Sequence, residues 1–395
     1  MSLGSRIRQF RTARGYSLDD LASRMDPSVS KQALSKYEKG DATPRPTVLL
    51  SLASALGVRA SQLASEPEYD FRPVAFRALA TLPQRERESI ENTVIIELER
   101  RLSLGDRLGL DMTFPFEGAC TEVSQIADAE LAAAQLRAVW GLGDAPIASV
   151  VDSVEAHGGH LIEVDTPRKF DGLAIIALED EMPVACGIAT RLQVTRSRQR
   201  MSIAHEAGHL AMDVADGVDE EKAAKRFAGA FLYPEQAVRD EFGSIRTRIT
   251  MAELLAAKAR WGISMQGVLY RLHDLDVLDD AGYSWWCMYV NRAGWRNVEP
   301  AEEPKERSTW NETHARRAEA EGLIARETMI EYIPSAAAEP WHAGLDRRAL
   351  MALPREERNA IIRAQVESIS AEYNREIDHE WLDADLGEWD HEEDE

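Results

Sequence analysis

Two histidines four residues apart carry the clearest chemical signal in this 395-residue chain. His205 and His209 enclose Glu206 in the pentapeptide His-Glu-Ala-Gly-His, and the flanking residues are apolar, free of proline and compatible with an α-helix. On a helix, positions i and i+4 lie on one face, so the two imidazoles can reach a single ion. Two imidazoles, one carboxylate and a water form the common open catalytic zinc site. The motif therefore predicts bound Zn²⁺, with Glu206 beside the ion as a general base and not as a ligand.

The third protein ligand is expected from the helix that follows. Residues 220–234 have an apolar stripe that includes Phe227 and Phe231, and a proline closes the segment. At about 100° per residue, Glu220 falls near the middle of that stripe and Glu221 falls at its edge. Helical periodicity therefore leaves both carboxylates open as the third ligand and slightly favours Glu220.

The sequence around these residues resembles the ImmA/IrrE family of zincin-like metallopeptidases. The resemblance rests on HEAGH followed by EEKAAKRFAGAFLYP, and it extends over roughly residues 126–300. Carried over position by position, it implies that His205 and His209 are metal ligands and that Glu206 is the base. It also implies that Glu221 is the third ligand, because the family's glutamate stands six residues before the phenylalanine found here at position 227. The resemblance thus implies a zinc metallopeptidase.

Short apolar segments precede the helix that would carry the two histidines. Residues 160–164, 173–178 and 183–188 are bounded by turn residues and are typical of strands. A small sheet beside the HExxH helix is the layout expected of a zincin. Because the rest of the chain is dominated by helical patterns, the predicted fold class is α+β and mostly helical.

The first 65 residues predict a separate DNA-binding bundle. Ser17 and Ser30 are typical helix N-caps, and the segment 31–38 forms a short helix whose polar face could enter the major groove. Residues 4–65 resemble the XRE (Cro/repressor-type) helix-turn-helix family through SLDDLA, SKQALSKYEKG and LASALGV. The resemblance implies binding to double-stranded operator DNA, as a homodimer. The candidate DNA contacts are Lys31, Gln32, Ser35 and Lys36.

The distribution of charge indicates a basic N-terminal region followed by an acidic remainder of the chain. The chain has a net charge of −22, whereas residues 1–65 carry +5, which leaves −27 for the remainder. The three cysteines are widely spaced, which indicates a reducing compartment. No apolar segment reaches the about 18 residues of a membrane span, and no secretory leader is visible, so we expect a cytoplasmic protein that does not enter membranes.

Local composition predicts the structure of the remaining segments. Residues 66–125 are predicted to be a linker and a helix: 66–82 read as a proline-punctuated linker with one short helix, and 84–104 as one helix with an apolar side. That side could pack within the chain or form a dimer seam. Residues 126–300 would form the metallopeptidase domain, and 301–395 a helical extension with an acidic tail. Residues 376–395 hold eleven Asp and Glu and no Lys or Arg.

Two functions from different classes are the main hypotheses at this point, and a third possibility is that a small ligand enters the cleft of the metallopeptidase domain and switches DNA binding without proteolysis. The first is a DNA-binding transcriptional regulator whose zinc-dependent metallopeptidase domain cleaves a regulatory protein, in trans or within its own chain. The second is an antitoxin-like regulator. In that alternative, the acidic C-terminal arm, which is similar to the toxin-binding ends of some bacterial antitoxins, binds a toxin, and the metal site is sensory or structural.

Overall fold

Five short helices form a bundle at the beginning of the chain. The computed structural model describes residues 2–26, 28–78, 82–111, 113–166, 170–296, 298–338, 354–360 and 363. Ser17 and Ser30 cap the second and third helices as predicted, and Gly40 and Gly57 end the third and fourth in the left-handed conformation that glycine adopts readily. The core is aliphatic and includes Ile7, which is fully buried. The helices are α1 Leu3–Ala13, α2 Leu18–Arg24, α3 Lys31–Lys39, α4 Pro46–Leu56 and α5 Ala60–Ala64.

The predicted linker contains a β-strand, so the short helix expected there is wrong. Strand β1, Asp70–Ala78, pairs antiparallel with a later strand and lies at the edge of the sheet. The register shifts between Pro73 and Ala75. Proline cannot donate to the ladder and is therefore tolerated at an edge and at an irregularity of this kind. The proline that suggested a linker is thus compatible with the strand.

Helix α6, Gln84–Leu108, confirms the predicted long helix and runs beyond residue 104. Its apolar side, including Val94 and Leu98, is buried against the sheet of the same chain. Its opposite side holds the N-terminal bundle: Arg6 of α1 forms a 2.8 Å ion pair with Glu99. The apolar side of α6, one possible dimer interface, therefore packs against the sheet of the same chain.

Among the described residues, the main sheet has four strands in the order β1, β4 (Phe170–Glu179), β5 (Met182–Arg191) and β3 (Gly159–Val164). Strand β4 pairs antiparallel with both β1 and β5, and β3 pairs parallel with β5. Successive side chains point to opposite faces, so Leu173 and Ile175 pack on α6 whereas Ala174 packs in the larger core on the other side. The strands are β2 Thr121–Val123, β3 Gly159–Val164, β4 Phe170–Glu179, β5 Met182–Arg191 and β6 Met212–Val214, with β2 and β6 forming a separate parallel pair.

Helices cover the face of this sheet that lies opposite α6. The helix with the two histidines, α9 (Arg196–Ala211), packs on β4 and β5, and α10 (Glu220–Leu232) packs on α9. The mostly helical α+β fold class and the small sheet beside the HExxH helix are confirmed. The helices are α7 Ala129–Val139, α8 Val150–Ala156, α9 Arg196–Ala211, α10 Glu220–Leu232, α11 Glu235–Phe242, α12 Met251–Trp261, α13 Met265–Asp274, α14 Asp280–Arg292, α15 Trp310–Ala320 and α16 Arg326–Tyr332.

The chain divides into two compact units, Met1–Ala318 and Glu319–Glu395. The acidic tail at 376–395 lies outside the described residues, as does most of the helix expected before it. The domain boundaries at 65, 125 and 300 stay predictions. Among the described residues, no helix combines the length and the apolar character that a bilayer crossing requires.

Candidate functional site

The histidine pair and one glutamate come together at the junction of α9 and α10. The Nε2 atoms of His205 and His209 lie 3.2 Å apart. The Glu221 carboxylate lies 3.5 Å from His205 Nε2 and 3.6 Å from His209 Nε2. Three donors at about 2.1 Å from a tetrahedral zinc ion would be separated by about 3.4 Å. The donor triangle therefore has the size and the chemistry that zinc requires, and the structure brings together the three residues predicted to hold it.

Glu220 occupies a different position from Glu221. Its Oε1 lies 2.8 Å from His209 Nδ1, on the side of the ring away from the donor triangle. A carboxylate can only accept from an imidazole N–H, so this contact places the proton on Nδ1 and leaves the Nε2 lone pair free for a ligand. The two adjacent carboxylates thus divide the roles that helical periodicity left open: Glu221 faces the donors and Glu220 orients one of them.

Glu206 is displaced by about 60–100° around α9 from the two histidines and lies against the sheet at β4. Its side chain is fully buried, and it approaches β4 at Gly172. A Cβ built on Gly172 would lie 2.3 Å from Glu206 Oε1 and 2.9 Å from its Cδ and Cγ, so only glycine leaves room for the carboxylate. Gly172 was not predicted as a site residue. The sequence places Gly172 directly before the predicted strand 173–178, whereas β4 begins at Phe170 and includes this glycine, which another group approaches closely.

Close packing between α9 and α10 sets the separation of the donors. A Cβ on Gly208 would lie 3.0 Å from the ring of Phe227, so the glycine of the pentapeptide allows α10 to approach. Asp219 caps α10 by accepting from the backbone N–H of Lys222 at 3.1 Å. Because this cap starts the helix directly before Glu220 and Glu221, both carboxylates project from its first turn towards α9.

A buried ion pair anchors α9 upstream of the histidines. Arg200, 1% exposed, pairs with Glu306 and donates to the carbonyl of Ile147 at 2.8 Å. Glu306 also accepts from the backbone N–H groups of Val150 and Val151, at 2.8 and 2.9 Å. One carboxylate therefore joins α9 to the N-terminus of α8. Sequence reasoning missed this pair because the two residues lie far apart along the chain.

The candidate DNA contacts lie on the outer side of α3. Lys31, Gln32 and Lys36 are exposed and Ser35 is half-buried, whereas Leu34 is fully buried in the bundle core. Lys31 forms an exposed 2.6 Å ion pair with Asp19 of α2, which salt and DNA phosphates can displace. The four residues thus share one accessible surface along α3, which follows a turn after α2.

Two family models match this sequence. Residues 7–63 match the helix-turn-helix model, and residues 189–273 match the model of the IrrE N-terminal-like domain. The chain carries an XRE-type helix-turn-helix and an IrrE/ImmA-like domain. Both resemblances predicted from the sequence are confirmed. No curated protein matches this chain.

The matched part of the IrrE/ImmA-like domain contains the whole donor triangle and Glu206. Gly172 and Glu306 lie outside the matched residues, as do β1 and α6. Two supports of the site, Gly172 beside Glu206 and Glu306 beside Arg200, are therefore supplied by segments that neither family model covers.

Proposed function

We propose that this protein is a DNA-binding transcriptional regulator whose zinc-dependent metallopeptidase domain cleaves a regulatory protein. The observation that carries the proposal is the donor triangle formed by His205 and His209 of α9 with Glu221 of α10, beside Glu206 on the same helix as the histidines. The helix-turn-helix would bind an operator as a homodimer. The cleaved protein would be a separate chain or this chain itself.

The chain's own residues account for most of the chemistry. Zinc, when bound, would act as a Lewis acid towards the scissile carbonyl and make a nearby water more acidic. Glu206, held against Gly172 and shielded from bulk solvent, would accept a proton from the attacking water. It would then deliver that proton to the departing amine. Glu220 would keep His209 in the tautomer that leaves Nε2 free.

The test separates metal binding from proton transfer. His209→Ala should lose zinc and cleavage together, whereas Glu206→Gln should keep zinc and lose cleavage. Zinc content is measured by elemental analysis of purified protein, and cleavage by mass spectrometry of new protein N-termini in cells that express each form. Identical sets of new N-termini in cells with the unchanged protein and with Glu206→Gln would remove the peptidase assignment.

The DNA-binding half is tested by salt dependence. Lys36→Ala should weaken binding to every sequence and lower the slope of log affinity against log salt by about 1, because one phosphate contact is lost. Gln32→Ala should instead alter sequence preference at one position. Lys225→Ala, the same charge change on the exposed side of α10, serves as the control. Equal effects of the Lys36 and Lys225 changes would place the interface elsewhere.

The antitoxin-like alternative is supported by the composition of residues 376–395. Eleven carboxylates with two tryptophans, Trp381 and Trp389, suit a basic protein partner better than DNA. Affinity capture with the full chain and with residues 340–395 deleted tests it. A partner that binds both forms equally would exclude this arm as the binding surface.

A further inference from the structure

A cavity outside the metal centre has the features of a small-molecule site. It has a volume of about 590 Å³ and lies where α8, β3 and the start of α15 meet the segment 110–117. No residue of the metal centre lines it. Its walls include Trp140 and Trp310, so a flat ligand could contact aromatic rings there.

Each tryptophan is stacked with a histidine that also lines the cavity. Trp140 and His157 have ring centroids 4.9 Å apart, and Trp310 and His314 have centroids 4.4 Å apart. In both histidines Nδ1 lies within 2.8 Å of a backbone carbonyl four residues earlier, at 2.7 Å for His157 and 2.8 Å for His314. A carbonyl only accepts, so Nδ1 carries the proton and Nε2 of each neutral ring is an acceptor. The cavity thus offers acceptors to a ligand that has N–H donors.

A third histidine has no hydrogen-bond partner for its ring among the described residues. His160 of β3 lines the cavity, is 1% exposed, and neither ring nitrogen has a hydrogen-bond partner among the described residues. Its ring meets Trp310 edge to face at a centroid distance of 5.2 Å. A buried polar group without a partner costs about 1–3 kcal/mol of stability. That cost is offset when a ligand supplies the missing hydrogen bond.

The charge of the lining excludes an anionic ligand. Asp111, Glu117 and Glu155 line the cavity, and no Lys or Arg does so among the described residues. Glu155 is already paired with Arg101 at 3.1 Å, which leaves the exposed Asp111 and Glu117 facing solvent at the cavity. A phosphate or carboxylate group would meet repulsion there.

We propose that this cavity binds a planar aromatic nitrogen heterocycle with N–H donors and no anionic group, such as a nucleobase or nucleoside. Its faces would lie against the two histidine–tryptophan stacks, in which Trp140 and Trp310 are only 5% and 8% exposed, and the imidazoles of His157, His160 and His314 would accept its hydrogen bonds. This site is independent of the metal centre, so the proposal stands or falls separately from peptide cleavage.

The test uses 2-aminopurine riboside, whose fluorescence decreases when it stacks on an aromatic ring. The unchanged protein should quench it saturably. His160→Leu should weaken binding by about tenfold or more, and the free variant should unfold at the same or a higher temperature, because it no longer buries an unpartnered polar ring. His314→Gln, a change nearer the protein surface, should also weaken binding. The 5′-monophosphate of the same riboside should bind at least about tenfold more weakly.

His273→Gln is the matched control, because His273 pairs with Asp280 and does not line the cavity. It should bind the riboside like the unchanged protein. Three results would overturn the proposal: no saturable quenching by the unchanged protein at millimolar riboside, unchanged affinity in both His160→Leu and His314→Gln, or equal binding of the riboside and its monophosphate.

Discussion

The adjacent residues Glu220 and Glu221 allow a matched test of the proposed metal centre. Their side chains are 56% and 54% exposed, and each can be replaced by glutamine without a change of volume. Neither change should alter the free energy of unfolding much, because exposed substitutions usually stay within about 0.5 kcal/mol. Any difference in zinc affinity therefore reports the position of each carboxylate.

The expected magnitudes differ. A four-ligand zinc site has a binding free energy of about 10–16 kcal/mol, or about 3 kcal/mol per ligand, so Glu221→Gln should weaken zinc binding by a factor on the order of a hundred or more. Glu220 orients a ligand without being one, and loss of such a group costs about 10–100-fold. Glu221→Gln should thus have the larger effect.

Competition with a chromophoric chelator measures both affinities. The visible spectrum of the Co²⁺-substituted protein gives a second readout: it should change in Glu221→Gln and be retained in Glu220→Gln. The roles assigned to the two carboxylates would be wrong if Glu220→Gln weakened zinc binding more than Glu221→Gln, or if neither change weakened it more than threefold.

Three further predictions concern the supports of the site and the cavity. Gly172→Ala should keep zinc but reduce cleavage by about a hundredfold, because the new Cβ would lie 2.3 Å from Glu206 Oε1 and displace the carboxylate. Full cleavage activity with normal zinc content would show that Glu206 tolerates this displacement. Glu306→Gln should lower the free energy of unfolding by about 3–5 kcal/mol, since it leaves the buried Arg200 without its counter-charge. Urea unfolding measures this, and a loss below about 1 kcal/mol would contradict it. Burial, with Arg101 and His314 nearby, lowers the pKa of His160 from 6.5 to about 3, so between those pH values the unfolded chain binds a proton that the folded chain does not. Stability should therefore decrease as the pH falls below 6.5, and less steeply in His160→Leu; parallel curves from urea titrations across this range would argue against a neutral buried ring.

Local signals in the sequence predicted the elements whose cause is local. Ser17 and Ser30 cap helices because their hydroxyls accept from backbone N–H groups three residues later, and the His205–His209 spacing needs only a regular helix. Strand β1 could not be predicted in this way. Its partners on β4 are about a hundred residues away along the chain, and Pro73 locally favours a linker.

The choice between Glu220 and Glu221 shows a second limit of sequence patterns. A core stripe indicates which residues of α10 are buried, but both glutamates lie in its exposed first turn. Their roles depend on the position of α9 relative to α10, and the close contact of Gly208 with Phe227 sets that position. The family resemblance, and not periodicity, pointed to Glu221. Gly172 stood outside the predicted strand 173–178, and its neighbour Glu206 belongs to a different element, so no local pattern indicated their contact.

Helix α6 has a consequence for the smallest fragment that can read DNA. One side of it completes the bundle: Glu99 neutralises Arg6, which is only 3% exposed, and Ser89 and Thr93 donate to the carbonyl of Ala13 at 3.0 and 3.2 Å. A fragment that ends at residue 65 would lack Glu99 and leave the Arg6 guanidinium without its counter-charge. A fragment that ends at residue 108 would expose the apolar side of α6 that packs on the sheet in the full chain. The N-terminal helical bundle and the sheet therefore both pack on α6, and removing either one would disturb the other.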